Sequence, residues 1–134
     1  MPFRRQCFPG KLRLKGRADY QRVYNNGVRI RGRHLVLFVA RTEGAVSRFG
    51  VTASRRVGNA VVRARCKRRL RELYRLHRSH SGRVSLDVVA NAHSSCADAP
   101  WPELEREFVR CLRQGETRAK DGPALPEEQQ RRTR

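Results

Sequence analysis

The residues with the clearest chemical purpose lie between Ser54 and Arg78, in SRRVGNAVVRARCKRRLRELYRLHR. Arg55, Arg56, Arg63, Arg65, Lys67, Arg68, Arg69, Arg71, Arg75 and Arg78 crowd this stretch against one acid, Glu72. Arginine's planar fork makes paired hydrogen bonds to phosphate oxygens and stacks on bases, so arginine in excess over lysine points to nucleic acid. A solvated basic face is the ordinary reading of a charge run. It fits poorly here, because like charges four apart on a helix repel and almost no acid offsets them.

Spacing divides the basic set. At about 100° per residue on a helix, Arg63, Lys67 and Arg71 stack on one side of an apolar stripe, Val62, Cys66, Leu70, Leu73 and Leu76. Arg65 and Arg68 project on the other side, with Glu72 one turn on. Asn59 stands where an N-cap amide would accept from first-turn N–H groups. The result is a helix with two basic flanks and a core-facing seam between them.

The acids give no sign of catalysis by the protein itself. Asp19, Glu43, Glu72 and Asp87 lack metal-binding spacing, and Glu103 and Glu107 sit near a helix start, where acids favour the helix dipole. His77 and His80 have no third ligand, so no metal site is expected. Neither a glycine-rich phosphate loop nor a nucleophile elbow occurs.

Several elements must position the basic helix. Tyr20, Val23 and Tyr24 fall on one side of a short helix over Arg17–Asn25, and Asn26-Gly27 reads as its stop. HLVLFVAR from His34 predicts a covered strand, and RFGVTAS from Arg48 a second, joined through a turn at Thr42–Ser47. The long helix runs from Asn59 to about His80, Ser81-Gly82 ends it, and VSLDVVA from Val84 is a third strand. A loop over Asn91–Asp98 leads to a final helix opened by Pro102, with Trp101, Leu104, Phe108, Cys111 and Leu112 along one side. The order helix-strand-strand-helix-strand-helix describes an α+β fold, a single α/β sandwich domain around one small mixed sheet. Residues 12–113 form that domain. Residues 1–11 are expected to be a flexible basic leader, and residues 114–134, polar and broken by prolines, a disordered tail.

The chain has 134 residues and a formal net charge of +19, with a sequence pI near 11.6. A polyanion relieves such self-repulsion by releasing counterions. No apolar run spans a bilayer, no signal-peptide core follows Met1, and no membrane partner is expected. Cys7, Cys66, Cys96 and Cys111 lack zinc spacing and are expected as reduced thiols in a cytoplasmic protein. A duplex-DNA module would need exposed base-reading side chains on a recognition helix, so DNA is not expected as a partner. A ribosomal RNA-binding protein and a free-standing metal-dependent nuclease are the remaining rivals.

The run from Gly58 to Arg68, GNAVVRARCKR, resembles the RNR signature of the bacterial ribonuclease P protein family, usually GNAVxRNRxKR. RADYQRVYNNG, RHLVLFVA, RFGVTASRRVGNAV, LDVVANA and the Trp101–Leu112 helix resemble the family's other elements in order. Ala64 replaces the central asparagine of the signature and so loses that amide's contacts. The resemblance implies a fold of the ribosomal protein S5 domain 2-like kind. It also implies an endoribonuclease complex in which a catalytic RNA removes the 5′ leader of precursor tRNA with Mg2+, the protein being non-catalytic alone. Arg55, Arg56, Asn59, Arg65 and Arg68 would then face the ribonuclease P catalytic RNA. Tyr20, Tyr24, Val36 and Phe38 match the family's leader cleft, with Arg63, Lys67 and Arg71 at its border; Phe38 keeps a stacking face where a tyrosine is common. Ordinary helix–sheet packing is the alternative for Tyr20 and Tyr24.

Overall fold

A four-stranded sheet organises the chain in the computed structural model, which describes residues 13–42, 47–78 and 85–120. Its strands are β1 (Val28–Arg31), β2 (Leu35–Thr42), β3 (Arg48–Thr52) and β4 (Ser85–Ala92), in the spatial order β1-β2-β4-β3. β1–β2 and β2–β4 are antiparallel, whereas β3 and β4 are parallel. Parallel neighbours need a crossover, and α2 (Ala60–His77) supplies it. α1 (Gly16–Asn26) precedes the sheet and α3 (Trp101–Lys120) closes the described chain.

Side-chain alternation gives the sheet two faces. Ile30, Leu35, Leu37, Val39, Phe49, Val51, Leu86, Val88 and Ala90 point to one face, where Cys66, Leu70 and Leu73 of α2 and Leu104, Phe108, Cys111 and Leu112 of α3 cover them. Phe49 stacks on Tyr74 at 4.3 Å between ring centroids, and Phe108 meets Phe49 edge-on. α1 lies on the opposite face, where Val23 packs with Leu14, Ala40 and Val89.

The mixed α+β sandwich agrees with the sequence reading, with four corrections. β1 adds a strand between α1 and β2; its VRIR pattern, four residues with two arginines, is too short and charged to stand out. α3 continues to Lys120, so residues 114–120 are helix and not tail. The stripe is extended by Gly115 and Ala119, both buried; a Cβ on Gly115 would lie 2.5 Å from a Val39 methyl, so only glycine allows this approach to β2. The seam of α2 turns to buried Tyr74, leaving Leu76 50% exposed. The segment expected as a loop over Asn91–Asp98 begins as the end of β4 and includes a 3-10 turn at Ser94–Ala97. Residues 1–12, 43–46, 79–84 and 121–134, with the leader, most of the first turn, the Ser81-Gly82 stop and the rest of the tail, lie outside the described residues.

Glu103 and Glu107 do more than sit at a helix start. Buried Glu107 accepts from the His34 and Leu35 N–H groups, at 2.7 and 3.1 Å, fixing the β1–β2 connection to α3. Glu103 faces His34 Nε2 at 2.5 Å, while Ser95 Oγ lies 2.7 Å from Nδ1.

Candidate nucleic-acid interface

The register sets the face under α1 in three cross-strand rows. One row is Ala40, Asp87 and Arg48; the middle row is Arg29, Phe38, Val89 and Gly50; the third is Arg31, Val36, Asn91 and Thr52. α1 covers them unequally.

The first row is closed by charge. Arg48 donates to Asp87 at 2.9 Å and to Asp19 of α1 at 3.4 Å, and Arg22 donates to Asp19 at 2.6 Å. Burial pushes the Asp87 carboxyl above its ordinary value despite Arg48 pulling the other way. In the middle row Tyr20 lies over Gly50, where an added Cβ would sit 2.6 Å from the ring. Burial also raises the Tyr20 phenol, against the opposing pull of a Val51 backbone hydrogen bond and the Arg71 charge.

The third row, together with the β1–β2 side of the middle row, is the more exposed end: Arg29 and Arg31 face solvent, and Thr52 and Asn91 are half-buried. Tyr24 and Phe38 meet edge-on at 4.9 Å, both half-buried, with the Arg29 guanidinium 5.9 Å from the Phe38 ring centre. Tyr24 Oη donates to Asn91 Oδ1 at 3.0 Å and Thr52 Oγ1 donates to the same oxygen at 2.6 Å. Val36, in this row, keeps only 8% of its surface and forms floor more than wall.

Behind this face, α2 carries the basic set. Asn59 caps it, its Oδ1 accepting from Val62 N–H at 3.0 Å as expected. Arg71 is half-buried next to Tyr20; burial, then the like charge of Arg13, draws its guanidinium below the ordinary value. Arg63 Nε donates to the Gly58 carbonyl at 3.1 Å, and Lys67 is half-buried. On the other flank Arg65 is exposed although its Nε donates to the Ala97 carbonyl at 2.7 Å, and Arg68 is exposed. Arg55 and Arg56 are exposed in a 3-10 turn before the cap. Ala64 is exposed too, and Val61 projects at 76% exposure.

Tyr20, Tyr24, Phe38 and Val36 therefore converge on one face with Arg71 at its margin, while Arg55, Arg56, Asn59, Arg65 and Arg68 face solvent elsewhere. A family profile described as Ribonuclease P matches residues 8–116. The chain belongs to the bacterial ribonuclease P protein family. A ribonuclease P protein component from Desulfovibrio desulfuricans is 38% identical over 114 residues, covering 82% of this chain and 87% of that one. The RNase P protein from Staphylococcus aureus superposes with a TM-score of 0.68 at 29% identity, covering 77% of this chain and 94% of that one. The RNase P protein from Thermotoga maritima shares the fold, with a TM-score of 0.66 at 20% identity over 76% and 96% of the two chains. Membership of the ribonuclease P protein family implies a role in tRNA 5′ processing alongside the ribonuclease P RNA. Among the described residues, no helix is long and apolar enough to cross a membrane.

Sequence reasoning passed over Arg29, Arg31, Gly50, Thr52 and Asn91. Asn91 was detectable, because Asp87, Val89 and Asn91 alternate with Leu86, Val88 and Ala90 and so share the second face. Arg29 and Arg31 required β1 to be seen first. Arg69, in contrast, is a structural arginine: it donates to the carbonyls of Cys96, Ala97 and Ala99 at 2.5, 3.0 and 2.6 Å and lies over Trp101.

Proposed function

We propose that this chain is the protein subunit of a ribonuclease P holoenzyme, holding the 5′ leader of precursor tRNA while the RNA subunit hydrolyses the phosphodiester bond. One observation carries the reading: three half-buried aromatic side chains, Tyr20, Tyr24 and Phe38, remain on a sheet face that the main core does not need, with Arg71 beside Tyr20. Aromatic faces take unpaired bases of any sequence at about 1–3 kcal/mol each, which suits a variable leader. Arg63, Lys67 and Arg71 then meet its phosphates, and the exposed set Arg55, Arg56, Asn59, Arg65 and Arg68 meets the catalytic RNA. The proposal places the complex in the cytoplasm.

Magnesium is implied by the family. Among the described residues, no three His, Cys, Asp or Glu side chains are grouped to hold a metal. Asp19 and Asp87 are engaged by arginines, so the described protein residues do not fit the ion and no protein step runs through it. The protein binds, orients and neutralises; the chemistry belongs to the RNA.

Reconstitution tests this. The full chain, added to a bacterial ribonuclease P RNA at low magnesium, restores cleavage of precursor tRNA and tightens binding of leader-bearing over leaderless tRNA. Absence of stimulation together with absence of salt-dependent binding to that RNA would end the reading.

A further inference from the structure

We infer that Arg33, Arg106 and Arg110, on the β1–β2 turn and the outer side of α3, carry the phosphates of the upstream leader after it leaves the cleft under α1. The inference rests on the leader-binding reading above and adds to it a second surface that is indifferent to sequence.

This surface begins where the cleft ends. The third row holds Arg31 and Val36, and the residues between them in the chain are the turn of the β1–β2 hairpin. Arg29 and Arg31 are exposed on the cleft face, and Arg33 is exposed in the turn itself. That turn is also where α3 docks. Glu107 accepts from the His34 and Leu35 N–H groups, and Glu103 faces His34 Nε2 at 2.5 Å. Arg106 stands between these two acids in sequence and is exposed, with Arg110 exposed one turn on. The His34 hydrogen bond, helped by the charges of Arg33 and Arg106, holds the Glu103 carboxyl below its ordinary value, so both guanidiniums lie near the same group. One basic line therefore passes from the sheet face, round the turn, to the back of α3. Its steps are short, about 7 Å from Arg29 to Arg31 and about 6 Å along the axis from Arg106 to Arg110.

The charge on this line is available to an outside anion. The acids of α3 are Glu103, Glu105, Glu107 and Glu116, and each is turned to a partner within the protein: His34, His77, two backbone N–H groups and Arg113. Arg113 is engaged as well, by Glu116 and the His77 carbonyl. No hydrogen bond or ion pair joins Arg33, Arg106 or Arg110 to a described residue. Each phosphate that such a group meets releases a counterion. Trp101, at the head of α3, lies against Arg69, so the line offers charge without a free stacking ring. Contacts of that kind go to the backbone and carry no sequence information. Position favours the leader over the catalytic RNA. The exposed α2 set lies beside β3 at the far edge of the sheet, whereas α3 lies beside β1 and β2. A strand leaving the cleft past Arg31 meets Arg33 first.

The experiment uses holoenzyme reconstituted from the full chain and ribonuclease P RNA. Its substrates are precursor tRNAs whose leaders lengthen one nucleotide at a time, in two unrelated sequences, with leaderless tRNA alongside. Affinity rises to a plateau as the cleft fills, then rises again by about three- to tenfold as the leader reaches the three arginines. Across the second rise the plot of log K against log salt steepens by about 2, for three phosphates on a single strand. Both sequences show the same rise. Arg106→Gln with Arg110→Gln abolishes it and leaves the first plateau in place, whereas Arg106→Lys with Arg110→Lys retains it. Arg33→Gln gives a smaller loss from the turn, independent of α3. A single plateau in the native chain, or a second rise that survives the Gln variants, overturns the inference and leaves the cleft standing. So does an equal loss of affinity for ribonuclease P RNA alone, which assigns the line to the catalytic RNA. If leaderless tRNA binds as tightly as leader-bearing tRNA, the leader reading falls and the inference with it.

Discussion

The two ends of the face under α1 share β2, β4 and β3, with β1 added at one of them, and behave as opposites. At one end Arg48, Asp87, Asp19 and Arg22 form a closed charge network in which each group faces an opposite charge. At the other, Asn91 is held by two neutral hydroxyls, and Arg29 and Arg31 stand exposed beside an aromatic pair. One helix produces both outcomes. Its first turns lay Asp19 and Arg22 on the sheet, and its later turn places Tyr24 at the open row. On this face charge is thus paired where it anchors α1 and turned to solvent at the opposite end.

The largest expected effect comes from breaking the closed end. Asp87→Ala removes the main partner of half-buried Arg48 and destabilises the fold by about 3 kcal/mol, read by urea unfolding, while the folded fraction retains its leader affinity. Next, Gly50→Ala strikes the row between the two ends. Its Cβ meets the Tyr20 ring, so overpacking costs about 1–3 kcal/mol, and leader affinity falls with it; unchanged binding would detach Tyr20 from the cleft.

A pH comparison sharpens the contrast further. The folded Asp87 carboxyl is raised by burial, so the native state binds its proton more tightly than the unfolded chain does. Its contribution to stability therefore falls as pH rises from the ordinary carboxyl value through the raised one. Above that the contribution stays at its low value. Asp87→Asn removes this slope, checked by comparing unfolding curves of the two proteins from acid to neutral pH. Smaller still, Asn91→Ala at the open end lowers stability by about 1 kcal/mol, since Tyr24, Thr52 and Asn91 are all only half-buried. Arg29→Ala changes stability by less than about 0.5 kcal/mol, yet lowers the salt dependence of precursor binding by about one counterion.

The elements that carry this contrast were largely legible in the sequence; the contrast itself was not. Apolar stripes placed α1, α2 and three of the strands because periodicity reports which side of an element is covered. The Asn59 cap followed from residue type, and the basic flanks of α2 from helical spacing. What stayed hidden depends on pairing between distant segments. β1 is four residues long and half arginine, and only its register against β2 sets Arg29 beside Phe38. Helix α3 runs on into residues 114–120, which read as tail, because Gly115 and Ala119 continue its buried side and Gly115 lets the helix approach Val39 of β2. Asn91 looked like the beginning of a loop until Tyr24 and Thr52 were found on its oxygen. Arg69 looked like one more phosphate ligand, although three carbonyls of the 94–99 segment hold it.

β1 has one more consequence, which concerns how the chain avoids itself. Gly32 N–H bonds to the Leu35 carbonyl at 2.8 Å, so in the same register Ile30 and Val28 face β2 through their main chain. The N–H and C=O groups of Arg29 and Arg31 are then directed to the free edge of the sheet. An open edge invites a second copy to pair with it and start aggregation. Here that edge is four residues long and carries two exposed positive charges, while the β3 edge is covered by the Arg13–Phe49 bridge and the Leu14 N–H bond to the Phe49 carbonyl. Two such edges repel before they can zip together.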